Sequence, residues 1–579
     1  MPKTYIDRTR RSLVFGGATL GGMAAAGCCS IPLSPQISGG CSPLPFPFLA
    51  GPEVLAAWAK PERFFDAHTH FFNAQDVPVA GFLTKSVAHS IKSENLRKLI
   101  IALAPVVEAL ANLAPTTERE HRELCRSSAK ALHTLRAQSE DLDTEIDRRR
   151  DDMARELYKR ILQEGDEIPR LFNEAVSRAK SRDINALRNQ TTAFSEDFVR
   201  EALRDGGSYR TSSKALISRR TSDMATEEAE AMSMKGALQF VGFMLAPRHH
   251  NLRTYIRRFS EHSPSLPLSG CFAAMVDFNY WLDCPAKASL MHDQVMVHEQ
   301  LALLSRGFLM PLVAYNPWVD IKEGDASIKL VEKAVKEHGC VGVKIYPPMG
   351  FYAYGNAGSP IQSSEPRPDP VMLDKKLRTF YELCDDLGVP VMAHANESNG
   401  RDAAHDMLAG AKGWISLREQ VGTLKGLRVN AGHFGGDDVH DSSDWTNDFV
   451  RLMSEPGGLR MYADLGYWER LLDKKPTQDN LAKILMAPLT GGTTADRVMY
   501  GSDWLMLSKE PGWETYGEGV AKVIRGLDPS GKISTKVLGG NVLECYGLTE
   551  TSRRGAKGVG TFERLQKFHE TNGLGWLKD

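Results

Sequence analysis

Two histidines separated by one residue, His68 and His70 in Asp66-Ala67-His68-Thr69-His70, are the first feature of this chain that could do chemistry. They end an apolar run of strand length, Phe64–His70. Alternate residues of a strand point to the same side, so both imidazoles project together. Two imidazoles placed this way can hold one divalent metal. With 16 histidines in 579 residues, an H-x-H pair also arises by chance, so the pair is weak alone. Its weight comes from three further residues. His394 closes the run Val389-Pro390-Val391-Met392-Ala393-His394. His433 closes Leu427–His433, and Asp503 closes Val498–Asp503. Five metal-competent side chains, each at the C-terminal end of a predicted strand, are hard to explain as satisfied core residues.

Such side chains need a scaffold that gathers strand ends. From residue 270 onward, apolar runs alternate with amphipathic helical stretches. The runs are Cys271–Asp277, Phe308–Tyr315, Val341–Tyr346, Val389–His394, Leu427–His433, Leu459–Asp464 and Arg497–Asp503. Ile328–His338 and Asp374–Leu387 are helical segments between them. Short runs buried on both faces and separated by helices imply parallel strands with crossovers. With Phe64–His70 they make eight β/α units, which predicts an α/β fold, a TIM (β/α)8 barrel with its chemistry at the C-terminal mouth. Between the first two strands, residues 85–235 carry almost no strand signal. Leu135, Leu142, Ile146, Met153, Leu157 and Ile161 recur at near-heptad spacing, a helical apolar stripe. We read a long helical insertion after strand 1, built of two or more antiparallel helices. It serves either as a packing element for the barrel or a dimer, or as a substrate lid. An insertion at this point leaves from the barrel mouth, so it can reach the site.

The predicted division is an export signal at 1–29, a linker at 30–60, the barrel at 61–84 and 236–550, the helical insertion at 85–235 and a C-terminal tail at 551–579. The signal rests on Arg10-Arg11 ahead of the Gly- and Ala-rich stretch Phe15 to Gly27, with no charged residue from Ser12 to Pro52. It looks like a twin-arginine signal. Ala24-Ala25-Ala26 offers a cut site, and Ala25-Ala26-Gly27-Cys28 a weak lipoprotein box. The expected location is therefore exported, periplasmic or membrane-anchored at the cell envelope, with membrane contact only through an N-terminal lipid. Lys+Arg 71 against Asp+Glu 72 gives no drive toward nucleic acid. Hydrophobic residues at 42% and charged residues at 25% argue against a disordered or multi-pass membrane chain. The nine cysteines include no C-x-x-C; Cys125, Cys271, Cys284, Cys340, Cys384 and Cys545 fit a disulfide scaffold poorly, and several read as buried free thiols. His249, His250, His292 and His298 lack matched partners and read as surface or capping residues. There is no nucleotide-binding glycine fingerprint and no G-x-S-x-G elbow.

Taken in order, Asp66–His70 (DAHTH), Val341–Pro347 (VGVKIYP), His394, Gly432-His433, Gly501–Trp504 (GSDW) and Leu538–Leu548 (LGGNVLECYGL) resemble the amidohydrolase superfamily. The resemblance is to its amidohydrolase-related branch, which includes aminocarboxymuconate semialdehyde decarboxylase and various lactonases. It covers roughly residues 61–550 without the insertion. It implies a metal held by His68, His70, His394 and Asp503. It implies His433 as an acid/base or substrate-polarising group, or as ligand of a second metal. It also singles out Lys344. A carboxylated lysine on strand 4 bridges the metals of binuclear members, while the single-metal branch carries a G-V-K run without such a bridge. A substrate-anion contact and a plain ion pair are the other roles open to Lys344. Asp277, Arg401 and Asp464 lie near strand ends or loops on the same face and are substrate candidates, although such residues are more often hydrogen-bond partners.

The expected cofactor is a divalent metal, zinc first, with manganese or iron as alternatives, because mixed His/carboxylate sites accept several metals. The leading function is metal-dependent hydrolysis of an amide, cyclic amide, ester or lactone bond in a small-molecule substrate. Asp503 would accept the proton of activated water, and His433 would stabilise the oxyanion or carry a second proton. The same residues could instead run decarboxylation or hydration of a small carboxylated substrate. A third reading is a non-enzymatic envelope scaffold that binds a partner through the insertion. A homo-oligomer is compatible with all three.

Overall fold

In this computed structural model the described residues are 49–58, 60, 62–91, 94–131, 138–180, 194–205, 225–263, 266–281, 289–359, 361, 369–437, 445–510, 512–549 and 560–572. The expected leader, most of the linker, Leu135, Cys284 and much of the tail lie outside them. Eight parallel strands follow one another in sequence order: β1 (Phe65–Thr69), β2 (Gly270–Ala274), β3 (Leu309–Ala314), β4 (Gly342–Ile345), β5 (Val391–His394), β6 (Leu427–Gly432), β7 (Leu459–Asp464) and β8 (Val498–Met499). The ring closes through main-chain bonds between the β8 segment and β1. Ala67 N donates to Tyr500 O at 3.0 Å and Asp503 N to His68 O at 2.7 Å. The fold is a TIM barrel. Several strands stop short of their predicted ends, β2 at Ala274 and β8 at Met499, because the chain there turns into the loops at the barrel mouth.

Each strand after β1 is followed by a helix on the outside of the barrel, from Met291–Leu304 after β2 to Tyr516–Leu527 after β8. Phe65, Phe272, Met310, Leu312, Met392, Tyr462 and Met499 pack as one apolar cluster with Val542, Tyr546 and Phe568 from the C-terminal helices. The registers put Ala314, Lys344, Met392, Asn430 and Tyr462 side by side across β3 to β7. Alternate residues of one strand share a face, so His394 and Asp464, two positions beyond Met392 and Tyr462, project with that row.

β1 feeds a helical excursion before β2. Its longer described helices are α1 (Glu94–Leu110), α2 (Thr117–Ala131), α3 (Gln138–Glu164), α4 (Glu167–Lys180), α5 (Glu196–Asp205), α6 (Ala225–Met244) and α7 (Arg248–His262). The stripe residues Leu142, Ile146, Met153, Leu157 and Ile161 are all buried on α3. The second half of α6 is enclosed, as its nearly unbroken apolar composition requires. Gly236 on this helix lies against the loop after β8; a Cβ there would sit 1.9 Å from the Lys509 carbonyl oxygen.

A buried charge network joins the excursion to the barrel. Arg248 of α7 is fully buried and pairs with Asp76, from the loop after β1, and with Glu120 of α2. Glu120 also accepts from His249 N and His249 Nδ1, each at 3.0 Å. Burial opposes ionisation of Glu120, but Arg248 and His249 outweigh it and hold the carboxyl down at about 2. These contacts correct the surface reading of three histidines. His249, His250 and His298 are 8%, 5% and 1% exposed, because α7 and the helix after β2 are enclosed by packed neighbours. His292 alone of the four is partly exposed, beside Asp293 at 3.2 Å.

Two outcomes test this packing. Arg248→Leu leaves Asp76 and Glu120 buried without their cation, and is expected to cost about 3–5 kcal/mol in urea unfolding. Burial lowers His298 to about 4 and His569 to about 3, from 6.5. The folded state then binds fewer protons than the unfolded chain below pH 6.5, so stability is full above 6.5 and falls as the pH drops toward those lower values. Urea midpoints should decline from pH 7.5 to pH 5, by about 2 kcal/mol for each such histidine.

Candidate metal centre

The site begins with an irregularity in β1. The register with β2 shifts between Asp66 and Thr69, a bulge of the kind that re-aims side chains beside active sites. The fully buried Asp66 carboxylate holds it. One oxygen accepts from His68 N at 3.1 Å and Ser502 N at 2.9 Å, and the other from Tyr255 Oη of α7 at 2.7 Å. Burial nevertheless pushes the Asp66 carboxyl up to about 7. Beyond the bulge, His68 Nε2 and His70 Nε2 lie 3.2 Å apart. Asp503 Oδ1 is 3.5 Å from the first and 3.3 Å from the second.

The outer nitrogen of each ring settles its tautomer. His70 Nδ1 donates to the Ala274 carbonyl at 2.7 Å, and His68 Nδ1 to Asp464 Oδ1 at 3.0 Å. His433 Nδ1 donates to the Gly466 carbonyl at 3.0 Å. His394 Nε2 donates to the Ser398 carbonyl at 3.0 Å. A carbonyl or an ionised carboxylate can only accept, so each of these nitrogens carries the proton and the other keeps its lone pair. The lone pairs are therefore Nε2 of His68, His70 and His433, and Nδ1 of His394. The rings form a chain, with centroids 5.2 Å apart for His68–His70, 4.7 Å for His68–His433 and 4.6 Å for His394–His433. One ligand atom each from His68, His433 and Asp503 fall within 4.8 Å of one another.

This donor set fits a divalent cation. Two lone pairs 3.2 Å apart cannot hydrogen-bond each other. Metal–nitrogen distances of ~2.0–2.1 Å at a tetrahedral angle put ligand atoms ~3.3 Å apart, the spacing found among His68, His70 and Asp503. The electrostatics agree. Burial pushes His68 down to about 3 and His394 well below its ordinary value, so both are neutral. Burial alone would raise the Asp503 carboxyl, but the neighbouring His433 holds it low, so the group is ionised.

The backbone is bent to present these groups. His433 and Asp503 take φ of 68° and 57°, a left-handed conformation uncommon for residues with a Cβ. Gly466 and Gly501 make room for the His68 side chain. A Cβ at either would come within 2.9 Å of its atoms.

The remaining candidates fall in different places. Lys344 is buried on β4 with Nζ 3.4 Å from His68 Nε2, and burial lowers it to about 8. Asp277 is buried beside Asn279 and Asn316, its carboxyl raised to about 6 by burial. Arg401 lies against Asp402 at 3.4 Å, partly exposed. Asp464 takes the hydrogen-bond role that was open to it beside a substrate contact. It is fully buried and accepts from His68 Nδ1, His433 N, Gly466 N and Asn430 Nδ2, so it orients histidines. Asp66, Ser398 and Gly466 had no assigned role in the sequence reading, although Asp66 stands two residues ahead of His68 within the same motif. Nor did the aromatic wall emerge there. Ring contacts run from His70 through Phe72, Phe278, Trp281 and Tyr346 to His394, at centroid distances from 4.8 to 6.5 Å.

Residues 310–548 match the family model described as amidohydrolase. That segment holds β4 to β8, most of β3, and Lys344, His394, His433, Asp464 and Asp503. The matched segment is less than half of the chain, and members of that family generally use a divalent metal. Among solved structures, the chain is similar to a Pseudomonas putida protein assigned as a 2-pyrone-4,6-dicarboxylic acid hydrolase. That likeness has 16% identity and a TM-score of 0.30, over 51% of this chain and 86% of the other. No curated protein matches the chain.

The tautomer argument makes Asp464 a direct test. Asp464→Asn removes the charge that holds His68 Nδ1–H and is expected to weaken metal affinity about 10–100-fold in chelator competition, with the circular dichroism spectrum unchanged.

Proposed function

We propose that this protein is a metal-dependent hydrolase that cleaves an amide, cyclic amide, ester or lactone bond in a small molecule. The observation that carries the reading is the convergence of fixed imidazole lone pairs on the Asp503 carboxylate at the barrel mouth. His68, His70, His394 and Asp503 would hold the metal, with zinc the first choice for a His/carboxylate set and manganese or iron the alternatives. A bound divalent ion supplies Lewis acidity and lowers the pKa of water from 15.7 to about 7.

The chain's own groups do the rest. Asp503 is ionised, so it can accept the proton of the attacking water and pass it to the leaving atom. The His433 ring packs on those of His68 and His394 with its outer proton committed to Gly466. Its inner nitrogen can take a second proton and present it to the oxygen on which charge develops. Lys344 adds buried positive charge beside His68. The aromatic wall gives the substrate's body an apolar surface on the side opened by β2 and β4. The leader's paired arginines and uncharged stretch support export to the envelope.

Exhaustive chelation, and separately His68→Ala/His70→Ala, should abolish activity, and added zinc should restore only the chelated wild type. Asp503→Asn at saturating metal should lower kcat by about 10²–10⁴-fold. A panel of lactones, amides and aromatic acids reads the bond type. Hydrolysis products without carbon dioxide support the hydrolase, whereas carbon dioxide release without hydrolysis would assign a decarboxylase.

A further inference from the structure

The histidine–aspartate centre is enclosed. None of His68, His70, His394, His433 and Asp503 is more than 6% exposed. A substrate that meets Asp503 needs part of this cover to move aside. The loop after β5, residues 396–406, covers the His394 side. Its Ser398 carbonyl accepts from His394 Nε2, and its Asn399 side chain bonds the Tyr346 phenol. Tyr346 belongs to the aromatic wall, its ring 4.8 Å from that of His394. From Asn396 to Ala404 this loop puts no apolar side chain into the core: Gly400 alone is buried, and Ala403 and Ala404 are exposed. A stretch with so few buried apolar contacts opens at low cost.

Polar bonds hold the loop instead. Asp406 Oδ1 accepts from Gly400 N at 2.6 Å, which ties the two ends of 400–406 together. Two more bonds reach across to residues 79–90. Ser86 Oγ donates to the Asn399 carbonyl at 3.0 Å, and His89 Nε2 meets Asp406 Oδ2 at 3.1 Å. The His89 side chain is 39% exposed, so solvent competes for the second bond. The facing side is firm. Ser86 stands on a π-helix, Phe82–Val87, a form that is rare and frequent at functional sites. Phe82, Leu83 and Val87 of this helix are buried. The Phe82 ring stands 5.9 Å from those of Phe72 and Phe278 on the aromatic wall. The loop is therefore the side that can move. Its pivot is Asn399, which holds a φ of 64° and is one of the few residue types that visit this region routinely. A change in that torsion swings Asn399 and the residues after it, and leaves the Ser398 carbonyl on His394.

We propose that residues 399–406 are a flap over the His394 side of the centre and that Ser86 and His89 are its clasps. With the clasps open, Asn399 leaves the Tyr346 phenol, and substrate passes between the loop and the π-helix to Asp503. The part played by substrate rests on the hydrolase reading; the flap does not, because a metal ion crosses the same cover.

Zinc exchange in the full chain reads the clasps without a substrate. Release into an excess of a chromogenic chelator and capture by the metal-free chain are each followed by stopped flow. Ser86→Ala/His89→Ala should speed both about tenfold. Their ratio, the zinc Kd, should stay within about twofold, since a cover changes access and not the bound state. His89→Cys/Asp406→Cys bridged by a short cleavable bis-maleimide should slow both relative to the unbridged variant, and cleavage should restore them. Amide hydrogen exchange of the metal-free chain gives a second reading. In Ser86→Ala/His89→Ala, residues 399–406 should exchange about tenfold faster while residues 82–87 keep their rate. Unchanged zinc rates overturn the proposal. So does a weaker Kd with an unchanged capture rate, which would make Ser86 and His89 supports of His394 alone. Unchanged hydrogen exchange at 399–406 overturns it as well. Clasp variants that behave as expected in a chain that hydrolyses nothing on the panel would remove the hydrolase reading and leave the flap standing.

Discussion

Four donors from three parts of the barrel meet on the Asp464 carboxylate, buried at the end of β7. His68 Nδ1, the main-chain nitrogens of His433 and Gly466, and the Asn430 amide all point at its two oxygens. Burial alone would raise this carboxyl, but His68 and His433 outweigh that effect and keep it charged. The charge fixes the proton of His68 on the outer nitrogen and so turns the inner lone pair toward His70 and Asp503. One of its oxygens also holds the main chain where His433 enters the left-handed region. One buried charge therefore sets the state of one histidine and the backbone of another, and both depend on its remaining ionised.

The insertion is tied into this arrangement rather than laid over it. Tyr255 of α7 bonds to Asp66, which secures the bulge that aims His68 and His70. α6 meets the loop after β8 backbone to backbone at Gly236. At the start of the excursion, Ser86 Oγ donates to the Asn399 carbonyl at 3.0 Å, in the loop that supplies Ser398 to His394. The long detour after β1 thus braces the β1 bulge and two of the loops that carry the centre. A helical element that only covered the barrel would not need a fully buried Arg248 network to hold it there.

Much of the scaffold was legible in the residues. Eight apolar runs with helices between them announced the barrel, and the α3 stripe announced the insertion, because hydrophobic period is written locally. The strand-end histidines and Asp503 were legible as candidates, since residue type and spacing are local properties. Burial of His249, His250 and His298 was not. The α7 helix that carries His249 and His250 looks polar in isolation, and it is packing in the folded protein that encloses it. Asp464 was visible as a strand-end acid but not as the anchor of two histidines, because the partners that define its role are far away in the chain.

The sequence by itself determined the order of the strands and the metal-competent side chains that follow them, since period and residue type are properties of neighbours. Only the tertiary structure decided which nitrogen of each histidine faces the centre, that Asp464 serves those histidines, and that the excursion supports the bulge in β1. These outcomes rest on hydrogen bonds between residues such as His68 and Asp464, 396 positions apart, whose geometry exists only when the barrel closes.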